Sequence, residues 1–289
     1  VFSPYYRKWS QKERRDVLPK PKNLSPTKRD EKSFKTHKKF FSIEKHSRMN
    51  GGEKFGQERM QSWITKNLEN YPNLHNDLAR DRTSRLSPYL HFGCISPLEV
   101  VLLSNEAEDE SFVRQVCWRD FFLQVLNSRP DSAKQDYRTR NFKWISNATQ
   151  YKAWKEGRTG YPLVDAGMRQ LLNEGFMHNR ARMVTASFFT KDLHMDWRLG
   201  AKHFMDHLID GDVASNQLNW QWVAGTGTDF NPHRIFNPIR QSERFDKNGD
   251  YIKRWIPELK ACSAREIHDP DPVLRKEVGY PEPLVNHAE

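Results

Sequence analysis

Two carboxylates, a carboxamide and two tryptophans lie close together in one stretch of this sequence. The stretch runs from Leu208 to Trp222, at the start of an expected helix, and contains Asp210, Asp212, Asn216, Trp220 and Trp222. Carboxylates this close need a partner, which in a surface turn would be water. A following segment so rich in tryptophan is expected to be buried, so a cationic side chain or a polar ligand is required instead. We interpret the stretch as the floor of a binding site.

A second group of polar residues precedes a helix start. It consists of Thr83, Ser84, Arg85, Leu86 and Ser87, followed by Pro88. Hydroxyls, a guanidinium and free backbone N–H groups at a helix start suit a phosphate or diphosphate. An ordinary helix N-cap explains the same residues, and local sequence alone favours that simpler interpretation.

A third group lies on one expected helix face. Asn179, Arg182 and Met183 share a face at helical spacing, whereas Arg180 points elsewhere. Arg182 is a suitable partner for Asp210 or Asp212. A helix with two exposed arginines is an equally good interpretation of these residues taken alone.

Helices are the elements that must position these groups. Apolar residues recur at helical spacing in segments 54–69, 97–103, 111–127, 162–174, 178–190, 198–209 and 213–224. No segment alternates as a strand does, so the predicted class is all-α. Segment 111–127 is apolar on nearly every face, which predicts a buried helix whose few polar residues need partners. The chain end, with Asp269-Pro-Asp-Pro272, is expected to be irregular.

The basic charge of the chain is concentrated at its start. The net charge is +10, and residues 1–60 hold 17 Lys and Arg against 7 Asp and Glu, so the remainder is neutral. Scattered prolines and Lys-rich runs predict that residues 1–50 form a basic linker segment and residues 51–289 a folded domain. The three cysteines form no paired or metal-like pattern, and no apolar run is long enough for a membrane. A reduced intracellular protein is expected, cytoplasmic and nucleoid-associated if bacterial.

Longer motifs, in order along the chain, resemble the FAD-binding domain of the DNA photolyase and cryptochrome family. They are Thr83-Ser-Arg-Leu-Ser-Pro-Tyr-Leu90, Trp118-Arg-Asp-Phe121, Gly160-Tyr-Pro-Leu-Val-Asp-Ala-Gly-Met-Arg169, Met177-His-Asn-Arg-Ala-Arg-Met183, Asp210-Gly-Asp-Val-Ala-Ser-Asn216 and Trp220-Gln-Trp222 with Gly225-Thr-Gly-Thr-Asp229. The resemblance covers residues 1–289 and implies a helical domain that holds a folded FAD. In this family reduced flavin, excited by light, donates an electron to a cyclobutane pyrimidine dimer flipped out of DNA.

The resemblance also implies roles at matching positions. The positions matching FAD contacts are Tyr71, Thr83, Ser84, Arg85, Leu86, Ser87, Arg119, Asn179, Arg182, Asp210, Asp212 and Asn216. Asn216 matches the residue that faces the flavin N5, where an amide suits an anionic reduced flavin better than an acid does. Trp220, Trp197 and Trp144 match the proximal, middle and surface members of the photoreduction chain, although packing is the default role of any single tryptophan. The positions matching the substrate pocket are Gln115, Trp118, Asn179, Arg180, Met183 and Trp222.

The sequence departs from the family pattern in three places. Gln115 stands where photolyases that act on cyclobutane dimers usually carry Glu, and an amide can donate a hydrogen bond but cannot give up a proton. Photolyases of the (6-4) lesion carry Gln there but place two His where this chain has Asn179 and Met183. The loop Asp229 to Arg234 is one residue shorter than usual. The family's preceding α/β domain is absent, so no antenna chromophore is expected on this chain.

These patterns predict a light-driven, FAD-dependent lyase that repairs cyclobutane pyrimidine dimers in UV-damaged DNA, as a monomer without a membrane or metal. The alternative is a cryptochrome-type photoreceptor that binds FAD without repair. Gln115 favours the photoreceptor, whereas Asn216 and the short tail after Tyr280 favour the lyase. A flavin-binding remnant without activity is a third possibility.

Overall fold

Helices make up the architecture of the part of the chain that the structure describes. The computed structural model describes residues 1–19, 21–23, 49–104, 110–228 and 231–287. Within these ranges there are helices and no β-strand, so the predicted all-α class is confirmed. The helices are α1 (Phe2–Gln11), α2 (Glu53–Asn67), α3 (Tyr71–Leu74), α4 (Ser87–His91), α5 (Pro97–Ser104), α6 (Ser111–Ser128), α7 (Ala148–Glu156), α8 (Pro162–Glu174), α9 (Asn179–Ser187), α10 (Trp197–His207), α11 (Val213–Ala224), α12 (Pro238–Phe245), α13 (Asp250–Trp255) and α14 (Pro272–Val278). Short 3₁₀ turns occur at Pro130–Ala133 and Pro257–Leu259.

Apolar periodicity predicted the longer helices well. Helices α2, α5, α6, α8, α9, α10 and α11 are confirmed with small shifts at their ends. A π-helical turn, Phe188–Asp192, directly continues α9. Most of the predicted linker segment 1–50, and Asp229 and Phe230 of the shortened loop, lie outside the described residues.

Proline lies in the first turn of two helices where irregular structure was expected. In α14 the Asp271 carboxylate caps the helix by accepting a hydrogen bond from Leu274 N, and Pro272 occupies the first turn. Proline suits that place because its missing N–H has no helical acceptor there. In α1, Pro4 likewise lies in the first turn. The prediction of an irregular chain end is therefore wrong for residues 272–278.

Helix α6 is not buried all round. Gln115 and Gln124 are exposed, and the Leu123 side chain is 38% exposed. The opposite face, which includes Phe121 and Phe122, is buried. The prediction of a wholly buried helix is wrong. A count of apolar residues does not distinguish the exposed side of α6 from the side that packs on α11.

Three hydrophobic clusters pack around helices α4, α9 and α11, which carry predicted site residues. The largest is built on α8 and also contains Trp154, Trp197 and Trp220. A second joins α2, α4, α5 and the start of α6, and a third joins α1 to α6 and α11. Because these clusters hold α4, α9 and α11 in place, the polar residues between them have fixed positions. None of the described helices is both long and apolar enough to cross a bilayer.

Candidate cofactor and substrate site

Asp210 is the meeting point of three distant segments. Arg182 Nη2, from α9, lies 3.0 Å from Asp210 Oδ1 and 2.9 Å from Oδ2. Ser87, at the start of α4, donates its Oγ–H to Asp210 Oδ2 over 2.6 Å. The Asp210 side chain is only 3% exposed, so both partners are needed to stabilise its charge. The predicted pairing of Arg182 with one of the two acids is confirmed for Asp210.

Asp212 and Asn216 occupy the first turns of α11. Asp212 caps that helix, because its Oδ1 accepts from Ser215 N at 2.7 Å. Asn216 lies one turn later and donates from Nδ2 to Ala201 O of α10 at 3.0 Å and to Gln217 Oε1 at 3.1 Å. Because Asp212 and Asn216 are four residues apart, their side chains lie on the same side of α11.

The side chains of the segment Thr83–Ser87 contact two separate sets of partners. Ser84 Oγ accepts from Leu86 N within a local turn, and Leu86 is buried. Arg85 has a left-handed backbone (φ 52°) that turns its guanidinium to Asp81 and to Glu174 Oε2, the latter at 3.1 Å. The Arg85 guanidinium therefore serves an ion-pair network on α8, whereas Ser87 serves Asp210.

Three more residues predicted to contact the cofactor have neighbours other than Asp210. Thr83 Oγ1 donates to Asp81 Oδ1 at 3.2 Å. Tyr71 is buried against Trp63 and Phe112, and burial raises the pKa of its phenol. Arg119 is half-buried on α6, and its Nη2 lies 3.5 Å from the carbonyl oxygen at the end of α4, that of Leu90.

Two of the side chains predicted to meet the substrate are exposed, and the others are half-buried. Gln115 is exposed and donates to its own helix at Ser111 O (3.2 Å). Asn179 is exposed beside Met183, with Nδ2 3.8 Å from Sδ. Trp118 is half-buried, and its indole stacks on the Phe2 ring of α1 with centroids 3.6 Å apart.

Arg180 and Trp222 each have an additional neighbour. Arg180 donates to Asn76 Oδ1 at 2.8 Å and lies 4.3 Å from the Phe245 ring centroid, which is the direction away from Arg182 that helical spacing predicts. Trp222 is half-buried, and the Arg234 guanidinium lies 4.7 Å from its ring centroid. These contacts can rearrange when a ligand binds, because both residues are partly open to solvent.

Two of the three tryptophans chosen from the sequence are buried, and the third is partly open to solvent. Trp220 is 2% exposed and Trp197 is fully buried, whereas Trp144 is half-buried. Trp197 donates Nε1–H to Asp136 Oδ1 over 2.9 Å. The Trp220 ring lies directly on Gly200, one turn after Trp197 on α10. A bond from Ile145 N to His194 O (2.7 Å) holds the segment of Trp144 beside the loop that leads into α10.

His178 begins α9 as a neutral, buried cap. Its Nδ1 accepts from Arg180 N at 3.1 Å, which orients the first turn that carries Asn179. Burial lowers the pKa of His178 from 6.5 to about 4, since a charged imidazole would lose its hydration there. The imidazole is therefore neutral at physiological pH and can act as an acceptor.

Comparison with known proteins identifies the family. A family model described as the FAD binding domain of DNA photolyase matches residues 112–289. The chain belongs to that family. It is 48% identical to the deoxyribodipyrimidine photo-lyase of Streptomyces griseus and 40% identical to that of Alkalihalophilus pseudofirmus, covering 100% of this chain and 65% of each relative. The chain thus spans about two thirds of the length of these relatives.

Solved structures agree with the family assignment. A bacterial class III photolyase from Agrobacterium tumefaciens superimposes with a TM-score of 0.83 at 36% identity, over 100% of this chain and 65% of that one. A cryptochrome from Synechocystis gives a TM-score of 0.78 at 35% identity, over 86% and 56% of the two chains. Fold similarity of this kind is shared by photolyases and a cryptochrome, so the site itself must separate their activities.

Sequence reasoning missed one tryptophan of this photolyase-family domain. Trp154, on α7, is fully buried, and its ring centroid lies 6.1 Å from that of Trp220 in an edge-to-face arrangement. Phe189 and Phe204 complete the shell of rings around Trp220. No local pattern distinguishes Trp154 from other buried tryptophans, because its contact with Trp220 joins two helices far apart in the sequence.

Proposed function

We propose that this photolyase-family domain binds FAD and, with the flavin reduced, uses light to split cyclobutane pyrimidine dimers in DNA. The junction of Ser87, Arg182 and Asp210 carries the proposal. It joins three of the family motifs at one buried carboxylate, in the stretch where the resemblance assigns the flavin. The relatives named deoxyribodipyrimidine photo-lyase support the lyase activity.

The residues present suit a flavin nucleotide. Trp220 Nε1 is buried and has no hydrogen-bond partner within the described part of the chain, so a polar atom of a ligand is expected beside it. Asp212 and Asn216 are half-buried next to the nearly buried Asp210. Amide and carboxylate groups match the donors and acceptors along one edge of a flavin ring, and the hydroxyls and Arg119 suit its diphosphate.

Bound FAD, once reduced, supplies light-driven electron donation to the dimer and recovery of the electron after the ring has split. The protein's own contribution is geometric and electrostatic. The Arg182–Asp210 pair holds the acid in one orientation. Asn216 adds no negative charge, and its contact with Gln217 can be exchanged for a ligand, since Gln217 has a further bond to Ala133 O at 3.1 Å. An anionic reduced flavin is favoured in such surroundings.

The tryptophans are proposed to return the flavin to its reduced state. Burial of Trp220 and Trp197, with Trp144 partly exposed, supports a path from the flavin toward the surface. Indole rings serve as stations for electron hopping from solvent donors, a role that packing alone does not require. Their function is separate from repair, which uses flavin that is already reduced.

DNA is proposed to approach the open side formed by α6, α9 and α11. Trp118 and Trp222 offer apolar surface for a flipped dimer, and Gln115, Asn179 and Arg180 offer polar groups for its carbonyl edges. We propose that the domain acts as a monomer and, because its substrate is DNA, in the compartment that contains the genome.

Repair activity can be measured directly. The protein is reconstituted with FAD, reduced, mixed with single- and double-stranded oligonucleotides that contain one thymine dimer, and illuminated with blue or near-UV light. We expect light-dependent loss of the dimer, with no loss in a dark control that holds the same amount of flavin. Dimers that persist under light with flavin bound would contradict the lyase.

The photoreceptor alternative rests on one residue. Gln115 is exposed on α6, and within the described part of the chain its side chain bonds only to its own helix. Its amide can donate a hydrogen bond to the substrate but cannot transfer a proton to it. If light changes the flavin absorbance of the reconstituted protein while dimers persist, the photoreceptor function replaces the lyase.

A further inference from the structure

Lys191 connects two parts of the chain at the edge of the proposed DNA site. It lies in the π-helical turn Phe188–Asp192 that continues α9. Its Nζ donates to Ala224 O, in the last residue of α11, and to Pro232 O, in the segment after α11, each over 2.8 Å. Single π-helical turns inside helices often occur at functional sites, so this position warrants a physical explanation.

Among the residues that the structure describes, no carboxylate pairs with the ammonium group of Lys191. Within the described part of the chain Lys191 forms no ion pair, and its third close neighbour is the Phe142 ring, with Nζ 5.2 Å from the centroid. Partial burial lowers the pKa of Lys191. Since removing an ammonium from water is costly, two carbonyls and a ring face are a minimal set of partners.

The two carbonyls belong to backbones that cross at close range. Gly225 ends α11 with φ 85°, and a Cβ there would lie 2.5 Å from Pro232 O. The segment after α11 therefore passes directly over the helix end, in contact that only glycine permits. Lys191 also binds at this crossing, because the same Pro232 oxygen accepts its hydrogen bond.

The crossing sets the position of one pocket residue relative to another. Trp222 lies on α11, two residues before Ala224, and Arg234 lies two residues after Pro232. The Arg234 guanidinium is 4.7 Å from the Trp222 ring centroid. A shift of Pro232 away from Ala224 would therefore separate Arg234 from Trp222, on the surface proposed to receive the flipped dimer.

We propose that Lys191 is a positioning residue that fixes Arg234 over Trp222 and thereby sets the affinity for dimer-containing DNA. This inference rests on the proposed function. Within the described part of the chain, Lys191 contacts Ala224, Pro232 and Phe142, and it makes no contact with the Asp210 junction. Flavin content and the rate of repair at saturating DNA are therefore unaffected by its loss.

The test uses Lys191→Met, which keeps the length of the side chain and removes its charge and donors. We expect roughly tenfold weaker binding of an oligonucleotide with one thymine dimer, as for loss of one charge-assisted contact. Flavin content and repair rate at saturating DNA remain those of the wild type. Backbone hydrogen exchange of residues 231–237 increases. The matched control is Lys202→Met, which removes an exposed ammonium from the neighbouring helix α10 and should change none of these quantities.

A second variant separates positioning from general loosening. Arg234→Ala should weaken binding by itself, and adding Lys191→Met to it should weaken binding no further, because Lys191 acts through Arg234. Additive losses in the double variant, or unchanged binding in Lys191→Met while the wild type binds, would overturn the inference and leave the proposed function intact. A wild-type protein with flavin that binds no dimer-containing DNA would refute both.

Discussion

The Arg182–Asp210 pair should show strong energetic coupling. Arg182→Met leaves the Asp210 carboxylate, 3% exposed, with Ser87 as its remaining side-chain partner. Breaking a buried pair from one side costs about 3–5 kcal/mol, and the Arg182 side chain is 23% exposed, so we expect about 3 kcal/mol for this variant. Asp210→Asn keeps the shape of the side chain and removes the charge. Because Arg182 can then turn to solvent, it should cost less, about 2 kcal/mol.

A double-mutant cycle measures the pair itself. The free energy of unfolding is obtained by urea titration for the wild type, both single variants and the double variant, all at one flavin occupancy. We expect a coupling energy of about 2 kcal/mol, since the double variant has neither an unpaired buried charge nor an unpaired guanidinium. The matched control is the Lys202–Asp206 pair, whose Nζ–Oδ2 distance is shorter, 2.6 Å, but whose side chains are 72% and 50% exposed. That pair should show no measurable coupling. Coupling of Arg182 with Asp210 that is no larger than in this control would refute the idea that burial makes the junction strong.

Four further changes have defined outcomes. Gly200→Ala places a Cβ 2.3 Å from Trp220 Cη2, so the ring must shift; we expect about 2 kcal/mol lower stability in urea titration and slower flavin photoreduction. Trp220→Phe should slow photoreduction of oxidised flavin yet spare repair by chemically reduced enzyme, and an equal fall of both would assign Trp220 to the pocket. The pKa of His178 is lowered to about 4 in the folded protein, so the unfolded chain binds the proton first as the pH falls. The stability that neutral His178 allows is therefore complete above pH 6.5, and the free energy of unfolding falls by about 3 kcal/mol toward pH 4. His178→Asn keeps an acceptor for Arg180 N and should show a smaller fall. Gln115→Glu should raise the repair yield per absorbed photon, and an unchanged yield would mean that the amide is not limiting.

The helices that sequence predicted best are those with sustained apolar periodicity. In α8 nearly every side chain is buried, and its bounds were predicted as observed. Helices α3 and α13, of four and six residues, escaped prediction because they have too few turns to show a period. Helix α14 was missed for a different reason: Pro272 was taken as a break, although proline after a capping Asp also begins helices.

Part of the site could be predicted from residue types alone. Two neighbouring acids before a tryptophan-rich helix require a cation, and the structure provides Arg182 for Asp210. The choice between Asp210 and Asp212 could not be made, because it depends on how the α10–α11 turn packs on α9. Partners from other helices, such as Trp154 beside Trp220, were likewise hidden, since periodicity shows which face is buried but not what covers it.

The bond between Ser87 and Asp210 also constrains the order in which the protein can mature. These residues are 123 positions apart, and Arg182 lies between them in the sequence. During synthesis the chain emerges from its N-terminus, so the bond between Ser87 and Asp210 cannot form until Asp210 has left the ribosome. Closing so long a loop is slow compared with forming any single helix. With the proposed FAD site at this junction, we expect fragments that end before residue 210 to retain no flavin once free flavin has been removed.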